Sequence, residues 1–273
     1  MTSLALAFPA IDPVAFQIGP VAVRWYGLAY LAGLMLGWWY ARRLVAQPAL
    51  WGAVKRPGVD SLDDLLLYVT LGIVIGGRLG EILFYNLPYY AANPAEILKV
   101  WQGGMSFHGG LLGAIAAGLL FSRRTGVGPL AIMDLMAAVA PIGLFFGRLA
   151  NFINGELWGR VTDAPWGMVF PDAGDALRHP SQLYEALLEG VVLLAVLAWA
   201  IRRWGFRRPG LIGGLFLFGY GLARFCVEFF REPEAQQGFL LGGWLTMGML
   251  LSLPMALVGA AVFASRVGRP DAA

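Results

Sequence analysis

Seven apolar stretches follow one another along this chain, each close to the length that crosses a bilayer, and that succession limits what the chain can become. A membrane-spanning helix needs roughly 20 mostly apolar residues. Segments at about 21–41, 64–87, 105–121, 130–152, 183–201, 211–230 and 239–264 qualify. The third is short, and the fourth and seventh contain Pro141 and Pro254, which a membrane helix tolerates when neighbours satisfy the freed backbone groups. One such run could be the buried core helix of a soluble protein. Seven in succession, in a 273-residue chain that is 58% hydrophobic and 14% charged, with mean hydropathy +0.66, are too much apolar surface for a soluble domain to hide. The expected fold is an all-α integral membrane protein with seven transmembrane helices, forming a single polytopic domain over residues 1–273.

The charges set an orientation. Arg42, Arg43, Lys55, Arg56, Arg123, Arg124, Arg202, Arg203, Arg207, Arg208, Arg266 and Arg269 fall in connections on one side, against Lys99, Arg160, Arg178 and Arg231 on the other. The positive-inside rule then puts the N-terminus outside and the C-terminus in the cytoplasm. The net charge of +3 is distributed as a topology signal rather than as a nucleic-acid footprint. The first twenty residues hold no Lys or Arg, so they lack the basic start of a cleavable signal peptide, and the first span is expected to be retained. The longest outer connection, about 153–182, is rich in Gly, Pro, Asp and Trp, and loops of that length are usually functional or flexible. A single cysteine, Cys226, excludes an internal disulfide and a CxxC pair, and reads as a small apolar filler of the sixth span.

Four of the twenty cations remain, all arginines within predicted spans: Arg24, Arg78, Arg148 and Arg224. A central Arg costs about 2.5–3.5 kcal/mol on insertion scales, which makes a functional role the starting hypothesis. The plainer alternatives are snorkelling, for Arg24, and pairing with Glu81 or Glu228 one helical turn on, for Arg78 and Arg224. By the direction of each span, all four lie toward the outer leaflet. A common anionic ligand would explain a shared depth, and a lipid phosphate suits the guanidinium fork. His108, in GGMSFHGGLLG, opens the third span at the same level, where a neutral imidazole could act as a base or simply be a satisfied structural residue. Asn151, Asn154 and Glu156 follow Arg148, and Tyr26 stands beside Arg24. Tyr85, Tyr89 and Tyr90 read as interface-belt residues, and Asp134 as a helix cap at the cytoplasmic end.

These segments resemble the bacterial prolipoprotein diacylglyceryl transferase family. The matching motifs are RWYGLAYLAG at 24–33, GGRLGEILFYN at 76–86, VWQGGMSFHGGLLG at 100–113, GRLANFINGELWGR at 147–160, RHPSQLYEALLEG at 178–190 and GYGLARFCVEFFREPEAQ at 219–236. They run in family order along nearly the whole chain. The FPDAGDALR stretch at 170–178 is shorter than in some relatives, which bears on substrate gating there rather than on the chemistry. The resemblance implies a seven-span bacterial inner-membrane enzyme that moves the diacylglyceryl group of phosphatidylglycerol onto the lipobox cysteine thiol in a preprolipoprotein signal peptide. It carries functional positions onto Tyr26, His108, Arg148, Asn151, Glu156, Gly159, Arg224, Glu228 and Arg231.

On that reading Arg148 and Arg224 steady the departing phosphate, Glu156 and Glu228 orient those arginines, and His108 is the candidate base. Tyr26 and Asn151 bond headgroup or glycerol oxygens. No cofactor or metal is implied, because two histidines without carboxylate spacing make no site, and no nucleic-acid partner is expected. The rival of another class is a phospholipid transporter or flippase. It would need polar residues through the full membrane depth, whereas the cytoplasmic halves of the spans are mostly apolar. A Schiff-base photoreceptor is disfavoured because both lysines lie in loops, and an intramembrane serine protease because Ser106 and His108 face apart on a helix.

Overall fold

In the computed structural model, which describes residues 6–9, 11–233, 238–240 and 243–271, long helices occupy the apolar stretches. They are α1 Trp25–Val45, α2 Ser61–Phe84, α3 Phe107–Thr125, α4 Pro129–Ile153, α5 Ser181–Trp204, α6 Leu211–Val227 and α7 Met247–Val267. Four of them, α2, α4, α5 and α7, are long and apolar enough to cross a membrane by length and composition, and α6 is a shorter apolar helix. The chain is a helical membrane protein. Pro141 and Pro254 sit inside continuous helices, as membrane packing permits. The end of the 219–236 motif, residues 234–236, lies outside the described residues.

The all-α expectation needs one correction. Strands β1 Val14–Ile18 and β2 Val21–Arg24 form an antiparallel hairpin with Ile18 opposite Val21. Gly19, at φ +58°, opens its two-residue turn, where only a positive-φ residue closes the pair without splaying the strands. Residues 21–24 therefore belong to β2, and the first long helix starts at Trp25 rather than at 21.

Small residues set the closest helix contacts. Gly72, Gly76 and Gly80 on α2 recur every fourth residue and face Gly109 and Gly113 on α3. A Cβ at Gly80 would lie 2.8 Å from Gly109 Cα, and one at Gly76 would lie 2.9 Å from Gly113 Cα. This is the small-xxx-small packing that lets membrane helices touch backbone to backbone. The same device joins α6 to α7, where a Cβ at Gly221 would lie 2.8 Å from Ser252 O.

The apolar core lies toward the basic end of the helices, where α1, α3, α5 and α7 finish. Trp51 and Phe206 stack there with centroids 4.5 Å apart, among buried Leu62, Phe121, Ile132 and Leu197. Connections at this end are tied together: Phe206 N donates to Leu50 O at 2.6 Å, and Lys55 Nζ to Thr125 O at 2.8 Å. Asp134 is a capping carboxylate, but not of its own helix. It accepts from Gly210 N at 2.7 Å and Gly213 N at 2.6 Å, closing the start of α6. Cys226 is exposed, so it fills no core, contrary to the reading from sequence.

Candidate active site

At the opposite end, α4, α5 and α6 bring charged side chains together. Arg148 is near the end of α4, and Arg224 is in the last turn of α6. Between them stand Glu185 and Glu189, four residues apart on α5 and both fully buried. Residues 186–192 of that helix form a π-helical stretch, the local widening that recurs at functional positions in helices.

The pairing is specific. Arg148 Nε lies 3.3 Å from Glu185 Oε2, within ion-pair distance but without hydrogen-bond alignment, while its Nη2 donates to Glu189 Oε2 at 3.3 Å. Arg224 Nη1 meets Glu185 Oε1, and its Nη2 meets Glu228 Oε1. Arg231 Nη1 donates to Glu185 Oε1 at 2.9 Å. Glu185 thus holds three guanidinium groups. Arg148, Arg224 and Arg231 face Glu185, Glu189 and Glu228, three cations against three carboxylates, so the formal charges cancel and the burial penalty is partly repaid. The carboxylates are enclosed, whereas the Arg148 and Arg224 side chains keep 17% and 16% exposure. Glu189 Oε1 and Gln182 Oε1 are buried here without a hydrogen-bond partner among the described residues.

The connection at 153–182 is ordered by bonds to the same region. Gly159 N donates to His179 O at 2.8 Å, and Gly159 pairs with Arg231 across an antiparallel bridge. A Cβ at Gly159 would fall 2.5 Å from Phe230 O and 2.6 Å from His179 O, so only glycine fits. Arg160 donates from Nε to Arg231 O and from Nη2 to Glu228 O, both at 2.9 Å. Asn151 Nδ2 donates to Glu156 Oε1 at 2.8 Å, while Asn154 caps the end of α4 through its N–H to Ala150 O. Next to this strap, His179 Nδ1 and Tyr184 Oη are 3.0 Å apart, and Trp166 Nε1 donates to the same hydroxyl at 2.7 Å. Burial holds the His179 imidazole below its ordinary pKa.

Several expectations change. Glu156 orients Asn151 rather than an arginine, because the turn after α4 folds its N–H back onto Asn151 O at 3.0 Å; Glu185 and Glu189 take the role expected of it. Arg78 pairs with no carboxylate among the described residues. Nε donates to Ile97 O, Nη1 to Gly103 O and Gly104 O, and Nη2 to Glu96 O and Lys99 O, at 2.5–3.4 Å, which uses all five donors. Glu81 accepts instead from Asn86 Nδ2 at 2.7 Å. Tyr90 is buried under the Arg78 guanidinium, 4.9 Å from carbon to ring centroid, and is no belt residue. Arg24 is exposed at the end of β2. The single layer of four arginines therefore resolves into a cluster of Arg148, Arg224 and Arg231, with Arg78 and Arg24 apart.

Tyr26 and His108 are not joined to that cluster by any hydrogen bond among the described residues. Tyr26 Oη sits 3.3 Å from Tyr30 Oη, one turn along α1. His108 is exposed in the first turn of α3, with its ring edge-on to Phe107. The residues that sequence reasoning passed over are Glu185, Glu189 and Gln182. Their signal was present in RHPSQLYEALLEG, where two carboxylates at i and i+4 enter an apolar span and share one face.

The family model described as prolipoprotein diacylglyceryl transferase matches residues 13–265. A phosphatidylglycerol–prolipoprotein diacylglyceryl transferase of Rhizobium meliloti is 59% identical over 256 residues, covering 93% of this chain and 91% of the relative. Proteins of the same name from Methylocella silvestris and Beijerinckia indica are 57% and 60% identical, covering 95% and 94% of this chain and 95% and 94% of their own lengths.

Proposed function

The chain belongs to the prolipoprotein diacylglyceryl transferase family, and from that premise we propose that it transfers the diacylglyceryl group of phosphatidylglycerol to a prolipoprotein, at the thiol of the lipobox cysteine in the signal peptide. The observation that carries the site assignment is the shared anchor of Arg148 and Arg224: both lean on the enclosed Glu185 while one side of each stays accessible. Forks fixed from behind suit a phosphodiester arriving in front. They supply preorganised positive charge where negative charge develops.

The thiol sulfur attacks the glyceryl carbon that carries the phosphate. A carbon–sulfur bond forms, the carbon–oxygen bond to phosphate breaks, and glycerol phosphate leaves with the bonding electrons. The thiol proton passes to a base, because a thiolate is the stronger nucleophile and a free thiol has a pKa of about 8.5. His108 is the candidate, exposed and with no hydrogen bond to its ring among the described residues. Arg148 and Arg224 bind the leaving phosphate. Glu228 and Glu185 hold Arg224, and Arg231 braces Glu185. Asn151, set by Glu156, and Tyr26 offer donors to headgroup or glycerol oxygens. Gly159 and Asn154 keep the strap close to the cluster.

All seven long helices span the bacterial inner membrane as one domain, with the N-terminus outside, the C-terminus in the cytoplasm and the cluster toward the outer leaflet. The twelve-to-four distribution of loop cations supports that orientation. The test is incubation of purified protein with phosphatidylglycerol labelled in its acyl chains and a lipobox peptide. Label on the peptide cysteine is the expected result. Redistribution of lipid between leaflets without peptide labelling would overturn the assignment.

A further inference from the structure

Glu228 is gripped from two sides, and only one of them is an arginine. Its Oε1 meets Arg224 Nη2. Its Oε2 accepts from Thr246 Oγ1 at 2.5 Å, a side chain only 2% exposed that lies eighteen residues further on. Thr246 is the N-cap of α7, and its hydroxyl oxygen accepts from Met249 N at 3.2 Å. A hydroxyl has one proton, so these bonds have a fixed direction: Met249 N–H to Thr246 oxygen, and Thr246 O–H to Glu228.

Gly248 completes the cradle. A methyl there would lie 2.5 Å from Glu228 Oε1 and 2.8 Å from Oε2, so the missing side chain is the space the carboxylate occupies. The first turn of α7, the positive end of that helix, thus lies directly against the carboxylate. A cap alone needs neither the buried partner nor the empty space.

We propose that Thr246 is a positioning residue for the transfer reaction: its hydroxyl fixes the Glu228 carboxylate, and through it the direction of the Arg224 fork. The inference rests on the reading of Arg224 as a phosphate-binding residue. Thr246 touches no substrate, and its effect passes through two side chains. Without the hydroxyl, Glu228 Oε2 loses its hydrogen-bond partner and the carboxylate can turn, so its Oε1 no longer fixes the direction of the Arg224 fork.

The experiment compares Thr246→Val and Thr246→Ser in purified full-length protein. Two readouts are used: transfer from labelled phosphatidylglycerol to a lipobox peptide, and binding of phosphatidylglycerol in detergent micelles, which does not depend on turnover. Val removes the hydroxyl at nearly constant volume, and Ser restores it. The expected loss in kcat for Val is about 10–100-fold, the range typical when a partner that orients an active group is removed. Lipid binding should weaken in the same variant, and Ser should stay within about threefold of the parent. In a Glu228→Ala background the Val substitution should cost nothing further, since a lost cap would persist there whereas a lost positioning effect would not. The inference is overturned if Thr246→Val keeps parental kcat and lipid affinity, or if Val costs as much without Glu228 as with it. Absence of transfer by the parent protein would count against the functional reading instead. The binding measurement would still decide whether Thr246 positions Arg224.

Discussion

Arg78 and Arg148 are both arginines near the ends of apolar helices, and the structure treats them in opposite ways. Arg78 is 5% exposed and gives all five donors to backbone carbonyls of the 96–104 segment. Nothing remains with which to bind a ligand. Arg148 is held by two carboxylates from behind and keeps an accessible side. An intramembrane arginine therefore carries no function in itself; the hydrogen-bond capacity it has left decides. One guanidinium closes a loop, and the other is kept in reserve.

The sharpest way to test that difference is to change the fork while keeping the charge. Arg148→Lys should lower kcat about 100-fold or more, because a point charge cannot reproduce two parallel donors, and single-turnover transfer would reveal it. Glu185→Gln comes next. It turns the carboxylate shared by three guanidinium groups into a neutral amide, leaving Glu189 and Glu228 as the remaining charged partners, and should cost about 3 kcal/mol of stability, together with much of the activity, as read by thermal unfolding and transfer on one sample. Arg78→Met should take a donor from five carbonyls, of which Glu96 O and Lys99 O keep a backbone donor, and destabilise by about 2–3 kcal/mol, yet leave the KM for phosphatidylglycerol near the parental value. A large rise in that KM would place Arg78 among the ligand-binding residues after all. Glu81→Gln, which touches Asn86 rather than Arg78, should shift stability by less than about 0.5 kcal/mol.

The smallest effect concerns pH. Burial lowers the His179 pKa below the ordinary 6.5, so the unfolded chain binds this proton more readily than the folded one. Stability from the neutral imidazole is then complete above the unfolded value and declines as pH falls through 6.5 toward the folded value. Thermal midpoints measured from pH 7.5 to 5 should fall less steeply in His179→Gln. Equal slopes would remove His179 from the acid response.

The long helices were legible because bilayer thickness writes a length into the sequence, and their boundaries shifted by up to four residues except at the start of α7, expected near 239 and found at Met247 behind the Thr246 cap. Arg148, Arg224 and Glu228 were legible because charge inside an apolar run stands out. Which carboxylate meets which arginine was not. Helix rotation settles that, and rotation depends on where glycines let backbones touch, as at Gly76 and Gly113. Glu185 and Glu189 carried the same signal as the arginines, but a search that counts cations passes over them. The partners of Arg78 are backbone carbonyls, which have no residue type to read. Asp134 looked like a local cap because its true partners, Gly210 and Gly213, lie some seventy-six residues away in sequence.

That last contact also has a metric consequence. Asp134 pins α4 to the start of α6, and from the pin the chain runs fourteen residues to Arg148 on one helix, 134 to 148, and fourteen to Arg224 on the other, 210 to 224. At 1.5 Å per residue both arms are about 21 Å long and turn through the same angle. The spacing of the two forks is thus gauged from the far end of the bundle, as the tips of a pair of calipers are set at the hinge.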